Sequence, residues 1–170
     1  MSALDVPDDV RKVLHEYYTC EVTTVNGQGQ PITWPSLPYY DEEAGQFLLT
    51  VSIAFPVKAF NVRRRPQISL FYSDPTGSGL ELAPAVLVQG DATVGELLDF
   101  ESPQIRGLFR LTSRRQPDVR RFTSNRVVRK LFAWYLFQRL VITVQPRRIL
   151  IWPHRDFSVE PRAIEVTHVE

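Results

Sequence analysis

The sequence predicts a mainly β fold with flanking helices, built as a small antiparallel barrel of six to seven short strands. Three observations carry this expectation. Apolar residues recur with period two over several short stretches. Turn signals separate those stretches closely, so strands cluster in hairpins and do not alternate with long helices. The 170 residues, 44% of them hydrophobic and 11% aromatic, suffice for one domain with a real core.

The elements follow in order. The first segment reads as a helix, with Asp5 as its cap, Pro7 in its first turn, and Asp8 and Asp9 at its positive end. Val10, Val13, Leu14 and Tyr17 fall on one face. From Thr19 the period becomes two: Cys20, Val22 and Thr24 alternate with Glu21, Thr23 and Val25. Asn26-Gly27-Gln28-Gly29 is a hairpin signal, and the chain returns over residues 31–37. A turn at 41–45 leads into a third strand at 46–52. Residues 56–65 form a short helix that Pro66 stops. A strand at 68–73, a loop at 74–79 and a strand at 85–94 follow, and Gly90 marks a bulge in the last of these.

Residues 103–130 carry nine basic side chains and one acid, Asp118, for a local net charge of +8. A helix begins at Ser102-Pro103, Pro117 begins another or breaks the first, and a further helix spans 125–139, with Phe132, Trp134, Tyr135, Leu136 and Phe137 on a large apolar face. Strands at 141–144 and 149–152 close the pattern, and 163–169 adds a short one. With no repeat and no linker, residues 1–170 read as a single domain with a helical insertion around 103–139.

Composition narrows the function classes. The formal net charge of +1 gives no strong global field toward nucleic acid or membrane. Arginines outnumber lysines 17 to 3, which fits either genomic base composition or recognition of phosphate and carboxylate. The single cysteine, Cys20, allows no intrachain disulfide and no cysteine-based metal site, and its place in an apolar alternation makes it a core filler. His15, His154 and His168 show no ligand spacing, so no metal is expected. The start of the chain lacks the pattern of a signal peptide, and the longest apolar run, 131–137, is too short to span a bilayer. The expectation is a soluble cytoplasmic protein without nucleic-acid or membrane partners.

Three segments, in order, resemble one known family. The first is the hairpin from Val25 through Gly29-Gln30-Pro31-Ile32-Thr33-Trp34-Pro35. The second is Leu48-Leu49-Thr50-Val51-Ser52 followed by Lys58-Ala59-Phe60-Asn61-Val62. The third is Val144-Gln145-Pro146-Arg147-Arg148-Ile149-Leu150-Ile151-Trp152. Together they look like the pyridoxamine 5'-phosphate oxidase-like superfamily, the flavin and deazaflavin split β-barrels of FMN-binding type. The resemblance covers roughly residues 19–152.

That resemblance implies roles. Lys58 neutralises the cofactor phosphate, and Asn61 lies one helical turn on. Thr33, Trp34, Pro35 and Ser36 lay their backbone along the flavin ring. Thr50, Val51 and Ser52 contribute backbone or hydroxyl contacts. Trp152 approaches from the partner subunit of a homodimer, and Arg162 in the tail also reaches toward the cofactor. FMN is the first choice of cofactor, and the deazaflavin coenzyme is the alternative, with Arg114, Arg115, Arg120 and Arg121 steering its acidic tail.

Independently of the family, a lysine in the first turn of a strand–turn–helix offers a phosphate both a cation and oriented N–H donors. By spacing alone, Lys58 reads more readily as a solvated helix lysine, and only the flanking segments lift the phosphate-binding reading above it. Two departures argue against true pyridoxamine phosphate oxidation: Val57 replaces a second basic residue, and Pro153-His154-Arg155-Asp156 lacks the family's Arg-x-His pair. The implied function is a flavin-type-cofactor-dependent oxidoreductase acting on a small organic molecule, with no catalytic side chain singled out. The alternative is a non-enzymatic flavin-binding or cofactor-sequestering protein.

Overall fold

The computed structural model describes residues 4–98, 102, 105–108, 110 and 138–166. Helix α1 (Asp8–Glu16) leads into strands β1 (Cys20–Val25), β2 (Pro31–Ser36), β3 (Tyr39–Asp41) and β4 (Gln46–Ser52). Helix α2 (Val57–Arg64) and strands β5 (Gln67–Tyr72), β6 (Ala85–Leu98) and β7 (Arg139–Trp152) follow. A short 3-10 turn (Pro153–Arg155) and strand β8 (Arg162–Glu165) end the described chain.

All eight strands belong to one antiparallel sheet, ordered β2-β1-β5-β6-β7-β4-β3, with β8 added to β7. The path begins at β2 and ends at β3, yet only Leu37 and Pro38 separate those strands in sequence. Three Cα steps reach at most roughly 11 Å. Seven strands laid flat would hold the two edges about 29 Å apart. The sheet therefore curls until its edges meet, which makes it a barrel.

Local chemistry explains the elements. In the β1–β2 hairpin, Asn26 Oδ1 accepts from the backbone N–H groups of Gln28 and Gln30, both at 2.9 Å, and Gly29 takes a φ of 84°. The inner face of the barrel collects Val22, Phe47, Leu49, Val51, Leu70, Tyr72, Val86, Val88, Ile142, Val144, Ile149 and Ile151, all buried. α1 adds Val10, Val13 and Leu14 to the same core, and Cys20 fills it from β1.

Several expectations change on contact with the structure. Pro7, not Asp5, occupies the N-cap of α1, and no side chain caps it. The strands expected at 141–144 and 149–152 are one strand, β7, and β3 was not anticipated. Pro146 lacks an N–H, but it sits where one edge of β7 changes partner, from β4 (through Val144) to β8 (from Arg148). Gly90 does mark a bulge: the register slips there, and a Cβ on Gly90 would lie 2.2 Å from the Gln145 carbonyl oxygen. Residues 105–108 and 110 are helical, and Arg139, expected to end a helix, opens β7; Arg114, Arg115, Arg120, Arg121 and the 132–137 aromatics of the helical insertion lie outside the described residues. Among the described residues no helix is long and apolar enough to cross a membrane.

Candidate functional site

The barrel closes imperfectly at one seam, and the candidate site is there. Among the described residues β2 pairs with β1 along one edge and with no strand along the other. β4 pairs with β3 only through Gln46, Phe47 and Leu48, so residues 49–52 have β7 on one side and no strand on the other among the described residues. Buried Pro38, without an N–H to donate, stands between β2 and β3. The result is a slot with β2 as one lip and the end of β4 as the other. Helix α2, which follows β4 after a tight turn, packs against β1 and β6, burying Ala59, Asn61 and Val62.

Lys58 in the first turn of α2 meets the β2 lip. Its Nζ donates to Ser36 Oγ at 2.6 Å and lies 5.8 Å from the centre of the Trp34 ring. Trp34 and Ser36 stand opposite Val22 and Cys20 in the ladder and so share the inner face with them. Burial pushes the Lys58 ammonium below the ordinary lysine range, and the positive charge of Arg139 adds to the push. The Cys20 thiol is itself driven well up by burial, so at neutral pH it carries no charge to offset them. Among the described residues no carboxylate pairs with Lys58.

The other expected residues divide. Asn61 turns into the core, 4% exposed, and its amide donates to buried Thr24 Oγ1 at 3.0 Å. Thr33 and Pro35 face outward, and Thr33 Oγ1 lies 2.8 Å from Thr23 Oγ1. On the β4 lip Val51 points into the core at 3% exposure, whereas Thr50 and Ser52 are on the other face. The Ser52 hydroxyl accepts from Ala54 N–H at 3.3 Å and shapes the turn into α2. Trp152 lies on the outer face of β7 in an aromatic group with Phe71 (6.0 Å) and Phe157 (5.7 Å). Within one chain it stands four strands away from β2 along the sheet path and on the opposite face from Ser36. Arg162 begins β8 opposite Ile151 and is exposed.

Slot chemistry suits an anion. The first helical hydrogen bond of α2 runs from Phe60 N–H to the Pro56 carbonyl at 3.0 Å. The N–H groups of Val57, Lys58 and Ala59 therefore have no acceptor within the helix, and proline at the N-cap offers them no side-chain oxygen. A phosphate there would meet N–H donors, a hydroxyl and a partly buried cation that gains from a counter-charge. The motifs missed Arg139. Only strand register, which sets it opposite Ser52, reveals it, and in sequence it reads as the end of a helix.

No protein-family profile and no curated protein matches the sequence. Solved structures do match. General stress protein 26 from Bacillus anthracis str. Sterne aligns with a TM-score of 0.61 at 12% identity, over 94% of this chain and 97% of its own. A putative pyridoxamine 5'-phosphate oxidase from Listeria innocua aligns at 0.52 and 15%, over 85% and 95%. HutZ, the heme storage protein from Vibrio cholerae, aligns at 0.51 and 16%, over 84% and 91%. With the curled eight-stranded antiparallel sheet and its open seam, these likenesses establish that the chain has the split β-barrel fold of pyridoxamine 5'-phosphate oxidase-like proteins.

Proposed function

We propose that this chain binds a flavin-type cofactor by its phosphate at the seam, and that the loaded protein is an oxidoreductase acting on a small organic molecule. FMN is the first candidate and the deazaflavin coenzyme the alternative. The observation that carries this reading is Lys58: a partly buried cation, 2.6 Å from a hydroxyl, at the N-terminus of a helix and without a carboxylate partner among the described residues. When bound, the flavin supplies hydride or electron transfer.

The chain's own residues bind and orient. Lys58, Ser36 and the first-turn N–H groups of α2 hold the phosphate. The backbone of Thr33, Trp34, Pro35 and Ser36 offers an unpaired strand edge to the ring, and the hydroxyls of Thr50 and Ser52 line the opposite lip. Val51 supports that lip from the core, and Asn61 anchors α2 through Thr24. Phe55, Val57 and Phe60, at 69%, 51% and 49% exposure, leave an apolar collar around Lys58. A second subunit of a homodimer covers that collar in this proposal, excludes water and brings Trp152 of the partner subunit to the cofactor. The apolar Val57 beside Lys58 speaks against pyridoxamine phosphate itself as substrate.

A second reading, cofactor binding or sequestration without turnover, draws support from the heme-storing protein that shares the fold. Titration of the purified protein with FMN, deazaflavin coenzyme and heme, followed by absorbance, separates the candidates, and turnover with a reductant separates enzyme from binder. Lys58→Ala is expected to weaken FMN binding by about 1.5–3 kcal/mol, roughly ten- to a hundredfold, with the fold intact. Unchanged FMN affinity in the folded variant sinks the assignment.

A further inference from the structure

The outer face of the barrel carries a groove that neither Lys58 nor Ser36 lines. Strand register sets a polar row along it. Thr23 on β1 stands opposite Ser69 on β5, Ser69 opposite Gln89 on β6, Gln89 opposite Arg148 on β7, and Arg148 opposite Glu165 on β8. The groove encloses about 470 Å³, and Gln67 and Arg147 line it with this row. Arg147 is there because of the bulge. The register steps from Gln89 opposite Arg148 to Gly90 opposite Pro146, so Arg147 is the extra residue and has no partner on β6. Strict alternation would send Arg147 and Arg148 to opposite faces, but with the bulge both line the groove and both are exposed. Each guanidinium meets one carboxylate at Nε: Arg147 at 3.2 Å from Asp91 Oδ2, and Arg148 at 2.9 Å from Glu165 Oε1. All four side chains are at least 40% exposed, so these pairs contribute little stability. Among the described residues no Nη group of either arginine makes a hydrogen bond, and the side chains of Gln67, Ser69 and Gln89 make none.

We propose that this groove is a second ligand site, which takes a small hydroxylated carboxylate of the sugar-acid class. It is separate from the flavin slot and does not depend on it. Two guanidinium forks on one face suit a carboxylate, which a fork grips through two parallel N–H donors. Gln67, Ser69 and Gln89 each donate and accept, which is the pairing that ligand hydroxyls need. A purely aliphatic acid would cover these groups without satisfying them. Glu165 is the internal carboxylate that the ligand replaces on Arg148. It ends a four-residue strand, its side chain is 70% exposed, and its release to water costs little. The groove's volume lies in the range of small-molecule sites.

The test follows the side-chain amide NMR signals of Gln67 and Gln89 while the full chain is titrated with three probes. D-glucuronate has the carboxylate and the hydroxyls, D-glucose lacks the carboxylate, and acetate lacks the hydroxyls. Glucuronate is expected to shift both amides saturably, with a Kd of about 1 mM or below and about tenfold tighter than either partial probe. R147Q and R148Q should each weaken glucuronate about tenfold, and E165Q should tighten it about threefold by removing the competing carboxylate. R147Q leaves the Arg148–Glu165 contact in place, so its effect is not a loss of β8. Glucuronate that fails to saturate wild type overturns the proposal, as does an affinity in folded R147Q and R148Q equal to that of wild type. Acetate that binds as tightly as glucuronate overturns the choice of a hydroxylated ligand, and E165Q that binds no tighter overturns the displacement of Glu165. Light scattering on the same samples covers the remaining case. A shift toward monomer in R147Q, with no glucuronate binding in wild type, assigns the arginines to contact between two copies and overturns the ligand site.

Discussion

The two sides of the barrel are built on different rules. Across β5, β6 and β7 every strand is flanked on both edges, and the inner face is a run of Ile68, Leu70, Tyr72, Val86, Val88, Ile149 and Ile151 at 5% exposure or less. At the seam, β2 and the end of β4 each keep an edge without a strand partner among the described residues, and no residue of β2 is fully buried. Polar groups enter there: Lys58 with Ser36, Asn61 with Thr24. The lesson is that complete strand pairing leaves side chains only packing to do. Where pairing stops, side chains and a helix end take over the hydrogen bonding, and a ligand can share in it.

Substitutions on the two sides should therefore fail differently. The largest effect is expected at Gly90→Val. The atoms facing the missing Cβ are all backbone, Gln145 O at 2.2 Å, Gln145 C at 2.9 Å and Pro146 Cα at 3.0 Å, so no rotamer change relieves the clash. Denaturant unfolding should show a loss of about 3 kcal/mol. An unchanged midpoint would mean that the β6–β7 crossing is not the rigid side.

At the seam, Asn61→Leu strands the buried Thr24 hydroxyl and should cost about 1–3 kcal/mol. Adding Thr24→Val should recover part of that loss, since both polar partners are then gone. Additive losses in the double variant would contradict the pairing.

A pH series sharpens the comparison through Lys58 alone. Its folded-state pKa is lowered, chiefly by burial, so between that value and the ordinary lysine value the unfolded chain binds more protons than the folded one. Lys58 thus makes stability rise with pH across that alkaline window. FMN affinity should move oppositely, falling as the ammonium is lost. Both trends should vanish in Lys58→Ala, and an identical pH profile in wild type and variant would refute the assignment.

The smallest effect belongs to the outer surface. Arg148 Nε and Glu165 Oε1 lie 2.9 Å apart, but the two side chains are 47% and 70% exposed. Glu165→Gln should change stability by no more than about 0.5 kcal/mol in thermal unfolding. A larger loss would mean that β8 braces β7 more than its exposure implies.

Much of this was legible in the chain itself. Period-two alternation located β1, β4 and β5, Asn26-Gly27-Gln28-Gly29 located the hairpin, and the single Gly90 located the bulge, because each depends on backbone preferences of residues close in sequence. Lys58 stood out as the cation of a strand–turn–helix for the same reason. Only the tertiary structure decided the rest. Spacing sets Asn61 beside Lys58 on the helix, yet packing turns it inward to Thr24, 37 residues away. Residues 139–152 form one strand because β6 pairs with nearly all of their length, and β3 exists because β4 lies beside it. Arg139 reaches the seam only through its register with Ser52. Periodicity and turn chemistry act over a few residues, whereas register, closure and the place where pairing stops depend on contacts between distant parts of the chain, and those contacts set which charges meet.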